Sequence, residues 1–496
     1  MSTESTLQGG SSKQDDMETG VQPPLEKNDS QQATDRDLVG WDSPSDPENP
    51  RNWPRWSKNM HIFLLGLLTL NSNLAATMFA PGAARLAVDF NITDETTIVF
   101  AVSIYLIGIA LGPIVTAPLS EMHGRLPLYH TCNVIYAAMT VGCALSPNAA
   151  AFYIFRFLSG CASSAPVAIG GGTIADLMPP EERGGAVGLF MSGALLGPVL
   201  GPVAGGFIVA DLGWRWTFWV ILIIGGITTL FSFAFMRETY EPILLHRKAA
   251  KLRKDTGNDQ LHPEVVLSRS YTVIFTAITR PLKLLVLAPI VTSLSLCVAY
   301  AFSLIFILFT TFPMVFGEQY GFGTAVSGLA YLGLGVGFVV GLGIFTFVNA
   351  WSRKHWDAKG TWTPERHLVP MIVFSPFTAV GFFWYGWSAH ERTHWIVPII
   401  GTFFIAIGLL FTMLPTQLYL VDAFGAGAAA SALAANLILR VFCGAFITLA
   451  GPPLYEQLGL GWGNSLLGFL SIAFIPATVY IYRNGARLRE RFSVKL

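Results

Sequence analysis

Apolar residues in this chain fall in blocks about 20 residues long, repeated from residue 60 to residue 482. A helix of that length crosses roughly 30 Å of hydrocarbon, which is the thickness of a bilayer core. Only 12% of the 496 residues are charged and 52% are hydrophobic, whereas a soluble chain carries about a quarter charged residues. These blocks predict a polytopic, all-α membrane protein.

Twelve spans are expected: 60–80, 97–119, 127–146, 150–173, 185–209, 216–236, 284–312, 325–348, 369–388, 394–414, 426–450 and 462–482. The longest polar insert follows the sixth. The expected organisation is a cytoplasmic tail with an interfacial segment (1–58), a six-helix bundle (59–236), a central loop (237–283), a second six-helix bundle (284–482) and a short tail (483–496). The start has no apolar core and does not read as a signal peptide; through about Asp46 it is polar and poor in aromatics, which predicts disorder. Trp53 and Trp56 suit a membrane interface, with Arg51, Arg55 and Lys58 meeting anionic lipid heads.

Basic residues crowd the loops on one side. Nine lie between Arg237 and Lys283, four more in the 349–368 loop and five after residue 482, against Arg85, Arg215 and Arg392 on the other side. The bias of lysine and arginine towards the cytoplasm predicts that both termini are inside. The sequon Asn91-Ile92-Thr93 then lies outside, available for glycosylation, while Asn28-Asp29-Ser30 lies inside.

The halves echo each other. Asp176 precedes a small-residue span followed by "LGWRW", and Asp422 precedes an Ala/Gly-rich span followed by "LGLGWG". The offset is 246 residues for the aspartates and 248 for Trp214 and Trp462. This predicts two pseudo-symmetric six-helix bundles with a binding site between them. In the fifth span Gly193, Gly197, Gly201 and Gly205 share a face, beside Pro198 and Pro202; in the eighth, Gly333, Gly337 and Gly341 form a second strip. Membrane helices associate by close backbone approach, so the fifth and eighth spans are expected to pack across the boundary between halves, with a kink at the prolines.

The fifth-span stretch "GALLGPVLGPVAGGFI" resembles the antiporter motif of the major facilitator superfamily. "APLSEMHGRLPLYH" resembles that family's loop between spans two and three, and "YIFRFLSGCASSA" its fourth-span Arg-x-x-x-Gly motif. "WDSPSDPENPRNWPRWSKN", "PPEERGGAVGL", "FFWYGWSA", "YLVDAF", "ASALAANLILR" and "GWGNSLLGFL" are similar to its fungal twelve-span drug:proton antiporter branch. The resemblance implies the major facilitator fold and a plasma-membrane exporter of a drug, toxic natural product or organic acid, driven by protons. It also implies a cytoplasmic gate built from Glu121, Gly124, Arg125, Asp176 and Asp422, with Glu121 where the family usually has aspartate. A Glu121–Arg125 clamp is the expected contact.

Arg156 and Arg440 are the only basic residues assigned to the hydrocarbon layer, and no acidic residue is assigned there. A charge at that depth costs about 2.5–3.5 kcal/mol on insertion scales and faces a partner or a polar cavity. Two arginines without a carboxylate would make a cationic pocket suited to acidic or neutral substrates and opposed to polycations. A structural role, bonding helix carbonyls or asparagines, is the alternative for each. Asn71, Asn73, Tyr300 and Gln417 are further candidates for the pocket wall. Arginine does not release protons in proteins, so the proton-carrier candidates are Glu121, Asp176, Asp422 and His130. The five cysteines lie in apolar blocks without metal-ligand spacing. No catalytic constellation, phosphate loop or cofactor motif appears, and the expected partners are a small-molecule substrate, protons and membrane lipid, with no nucleic acid and a monomeric state. Potential-driven export of an organic anion without proton coupling is the alternative to proton antiport.

Overall fold

The computed structural model describes residues 38–179, 182–265 and 271–492. It divides into two compact units. The smaller joins the described residues up to Gly40 with Leu245–Glu264. Within it Leu38–Val39 (β1) pairs in parallel with His262–Pro263 (β2), and Arg253 Nε donates to Leu261 O at 2.6 Å.

The larger unit, Trp41–Leu244 with Val265–Leu496, holds the apolar helices. Among the described residues, ten segments are long and apolar enough to cross a membrane. The last, Ser431–Arg491, is 61 residues long and is divided at Gly459, whose backbone (φ 68°, ψ 174°) is not helical. Arg125–Ala144 lies outside the set because of its polar residues, yet it is a helix packed against its neighbours. The helices are α1 (Arg55–Thr77), α2 (Glu95–His123), α3 (Arg125–Ala144), α4 (Ala149–Leu177), α5 (Arg183–Leu212) and α6 (Arg215–Phe235) in the first half. The second half has α7 (Pro289–Tyr320), α8 (Thr324–Ala358), α9 (Pro364–His390), α10 (Ile396–Gly425), α11 (426–447) and α12 (460–491).

Local chemistry sets the helix ends. Asp94 accepts from Thr97 N at 2.8 Å to cap α2, and these bonds, with that from the Thr97 hydroxyl, hold its carboxyl below the usual carboxylate range. Asn148 caps α4 through Ala151 N at 2.9 Å. Gly124, at φ +100°, turns the chain between α2 and α3, and Gly425, at φ +60°, separates α10 from α11. The α5 helix runs unbroken through Pro198 and Pro202.

Several boundaries differ from those read in the sequence. The central loop contains a helix at Glu241–Thr256, and another, Tyr271–Leu287, leads into α7. The expected tail from residue 483 continues α12 to Arg491. The expectation of amino-terminal disorder lies, for residues 1–37, outside the described residues. From Trp41 the chain is tied: Asp46, 4% exposed, accepts from Glu48 N and Asp42 N, and Asn52 donates to Pro44 O and Asp46 O. In the interfacial segment Trp56 is exposed, but Lys58 is buried and donates to Arg51 O.

The fifth and eighth spans do pack across the boundary between halves, as expected, but the glycine strips themselves face other helices. The α5 strip packs on α1: Gly193 abuts Gly66, Gly197 abuts Asn73, Gly201 abuts Thr77 and Gly205 abuts Met78. Gly333 and Gly337 of α8 pack on α10 at Ile399–Ala406. A third seam joins α2 to α4 through Gly108, Gly112 and Gly160. In each seam the residue numbers rise together, so the paired helices are parallel and nonconsecutive. The boundary between halves is formed instead by the neighbouring face of α5, where Val199, Pro202 and Gly206 meet Gly335, Gly328 and Thr324 of α8 in antiparallel sense. A small residue permits close approach wherever it lies; the strip alone does not select its partner.

Candidate functional site

Between the halves lies a cavity of about 180 Å³. The first half contributes Ser72, Asn73 and Ala76 of α1, Leu106 and Ile109 of α2, and Met191, Ala194, Leu195 and Pro198 of α5. The second contributes Phe302, Phe306 and Phe309 of α7, Phe338 of α8, Met413 and Gln417 of α10, and Arg440 of α11. The wall is mostly apolar, and its polar atoms are unequal. Ser72 donates to Ser163 O at 2.9 Å and Asn73 to Thr69 O at 2.9 Å, so both are engaged by backbone carbonyls. Gln417 and Arg440 have no hydrogen-bond partner among the described residues, and Arg440 Nε is buried. The guanidinium carbon of Arg440 stands 5.5 Å from the centre of the Phe302 ring, and Phe302 also packs on Gly444, one turn further along α11.

Arg156 does not line this cavity. It is 1% exposed, and its Nη2 donates to Ala75 O at 2.7 Å. Its guanidinium lies 4.5 Å from the Tyr105 ring centre, 5.4 Å from Phe218 and 5.7 Å from Phe79. Hydrogen bonds and aromatic faces thus compensate this charge inside the first half. Each arginine stands seven residues from a helix end, at Ala149 and Ile447 respectively, a depth of about 10 Å. The expectation of a pocket containing both is corrected: depth is shared, surroundings are not. Asn71 also lies outside the cavity, buried and 3.4 Å from Tyr136 OH, and Tyr300 donates to Leu467 O at 2.6 Å. Of the candidates for the pocket wall, Asn73, Gln417 and Arg440 come together.

At one end of the first half, Arg125 Nε bonds Asp176 Oδ2 at 3.2 Å, and its Nη1 donates to Ser120 Oγ at 3.0 Å. Glu121 is exposed and makes no ion pair among the described residues. The expected Glu121–Arg125 clamp is therefore replaced by Arg125–Asp176. The buried Glu238, which the sequence reading passed over, caps α3. Its Oε1 accepts from Arg125 N at 2.9 Å and its Oε2 from Leu126 N at 3.2 Å, while Thr239 N and Tyr240 N also donate to Oε1. Gly124 leaves room for this carboxylate, which would collide with any Cβ there. The second half repeats the device with other residues: His367 Nε2 stands 2.9 Å from Asp422 Oδ2, and Arg489 pairs with Glu365. The available signal was positional, since Arg125 and His367 each lie in the first turn of the third helix of their half. His130 stacks on Phe233 with ring centres 3.9 Å apart.

A helical bundle with a cavity between two halves, and with charged contacts repeated at corresponding helix ends of each half, is the architecture of a multi-pass membrane transporter. The chain belongs to the Major Facilitator Superfamily, whose family model matches residues 65–448. It is 53% identical to "MFS transporter prlG" of Fungal sp. (strain NRRL 50135) over 93% of this chain and 98% of that protein. It is 51% identical to "MFS transporter fsa7" of Fusarium sp. (strain FN080326), covering 94% and 92%. It is 47% identical to the "Trichosetin biosynthesis cluster MFS transporter" of Gibberella fujikuroi (strain CBS 195.34 / IMI 58289 / NRRL A-6831), covering 92% and 90%. In fold it is similar to the partially occluded inward-open xylose transporter XylE from E. coli, with a TM-score of 0.64 at 16% identity over 86% of this chain and 98% of that one. The protein is a secondary transporter and not an enzyme.

Proposed function

We propose that this protein exports a small organic molecule across the plasma membrane by alternating access, as a twelve-span monomer of the drug:proton antiporter branch with both termini in the cytoplasm. The cavity between the halves carries this reading, because rocking of two bundles about such a site exposes it to each side in turn. The name of the Gibberella fujikuroi relative, which places that protein in a biosynthesis cluster, supports a natural product as cargo. Proton antiport supplies the drive, with Asp176, Asp422, Glu121 and His130 as the titratable candidates along the pathway.

The absence of any carboxylate from the cavity wall among the described residues favours a second reading, export of an organic anion driven by membrane potential alone. Inside-out vesicles separate the two. With an imposed pH gradient, labelled organic acids, neutral drugs and cationic drugs are offered in competition, and a protonophore then collapses the gradient at clamped potential. Antiport predicts that uptake stops. Unchanged uptake transfers the assignment to potential-driven export, and no uptake of any class under either condition overturns export itself.

A further inference from the structure

We propose that the cavity takes an amphiphilic monoanion, with its acidic group on Arg440 and its apolar body passing between Leu195 and Phe338 into the cleft between α5 and α8. This rests on the transporter reading and names the cargo's chemistry. Three observations carry it. The first is the state of Arg440: a guanidinium at the cavity wall, with Nε buried and no hydrogen-bond partner among the described residues. Its contact with the protein is the face of the Phe302 ring, 5.5 Å away; Arg156, whose Nε is likewise unbonded, has the Ala75 and Ala76 carbonyls and three aromatic rings around it, so Arg440 is the guanidinium short of an acceptor.

The second is asymmetry. The offset of 246 residues between the aspartates carries Arg440 onto Ala194, which lines the same cavity. The two halves therefore present one cation where the corresponding position carries a methyl group, and among the described residues no acidic side chain lines the wall to neutralise it. One fixed charge matches one anionic group.

The third is a continuation of the apolar wall. A separate cleft of about 340 Å³ lies between α5 and α8, lined by Ser192, Leu196, Val199 and the facing residues of α8. Leu195 and Phe338 line both this cleft and the cavity, so these two side chains form the partition between them. The bilayer-facing residues beside it, Leu196, Val336 and Val339, are 39%, 53% and 61% exposed. Towards the Gly206 end of α5 the helices are in backbone contact, which closes the cleft there and leaves it open alongside the cavity. Parting of Leu195 and Phe338 joins the two spaces and lets an apolar body reach the lipid-facing surface, exchanging hydrocarbon for hydrocarbon, while the acidic group remains on the arginine.

The test is equilibrium binding of pyrenebutyrate, its methyl ester and 1-pyrenemethylamine to the full chain in nanodiscs, read by fluorescence polarisation against empty nanodiscs. The acid should bind about tenfold or more tightly than the ester, the scale of one charge-assisted contact, and the amine should bind most weakly. Arg440→Gln should bring the acid-to-ester ratio to about one, and Arg440→Lys should retain part of it. Leu195→Trp, which fills the partition, should weaken acid and ester alike. Equal or absent binding of acid and ester by the unaltered protein overturns the proposal whether or not the Arg440 variants fold. An acid preference that survives in Arg440→Gln overturns it as well. Binding reports neither direction nor driving force, so the vesicle assay can fail while this result stands, and the reverse.

Discussion

Arg125 Nε lies 3.2 Å from Asp176 Oδ2, joining the first turn of α3 to the last turn of α4. His367 and Asp422 join α9 to α10 in the same manner at 2.9 Å. The first pair uses a guanidinium, the second an imidazole. The two halves thus share the aspartate at this position and differ in its partner.

Beside the first pair, Glu238 accepts four backbone N–H groups while 4% exposed. Replacing it with Ala leaves these donors without their acceptor and should cost about 2–3 kcal/mol. Glu121→Gln, at an exposed residue without an ion pair, should stay within about 0.5 kcal/mol. Thermal melting in detergent checks both; equal effects would restore Glu121 to the clamp.

Arg156→Ala should lower stability by about 2–4 kcal/mol, because it empties a buried site and unpairs Ala75 O. Reduced melting temperature and reduced amounts at the cell surface are the expected readings. A variant that folds normally yet fails to transport would return Arg156 to the translocation pathway.

The parallel seams rest on absent side chains. A Cβ at Gly197 would stand 2.5 Å from Asn73 Cβ and 3.1 Å from Leu74 N. Gly197→Val should therefore destabilise by about 1–3 kcal/mol or more. Gly226→Ala and Gly343→Ala, where a Cβ meets nothing within 4 Å, should be nearly neutral. Melting curves for the three variants separate packing glycines from incidental ones.

At the boundary between halves, a Cβ on Gly206 would lie 3.2 Å from Gly328 Cα. A Gly206→Cys, Gly328→Cys pair, whose Cβ atoms would stand 2.9 Å from Thr324 O and Pro202 O, should part the helices by a few tenths of an ångström, then cross-link under mild oxidation and hold α5 against α8. Transport should fall at least about tenfold and return on reduction, as expected if the halves must separate there. Full activity of the oxidised, cross-linked protein would exclude opening at this end.

Asn91 is exposed, with φ +55°, a conformation that asparagine tolerates better than most residues. Expressed in a glycosylating host, the chain should lose mass on deglycosylation, and Asn91→Gln should abolish the shift. An unchanged mobility in both would remove this support for the proposed orientation.

The apolar blocks determined that the chain is a helical membrane protein, and the aspartate spacing pointed to its two halves. Helical periodicity placed Gly193, Gly197, Gly201 and Gly205 on one face but could not choose between α1 and α8 as neighbour, since a flat strip accepts any close backbone. The charge census likewise found the two arginines that need compensation at depth without distinguishing them. Tertiary packing decided that Tyr105, Phe218 and the Ala75 carbonyl enclose Arg156, while Arg440 at the cavity wall meets the Phe302 ring and no hydrogen-bond acceptor among the described residues. It also decided that Asp176 and Glu238, rather than nearby Glu121, meet α3. Sequence sets what each helix must bury; the neighbours that satisfy it come from remote segments, and only the assembled bundle brings them into reach.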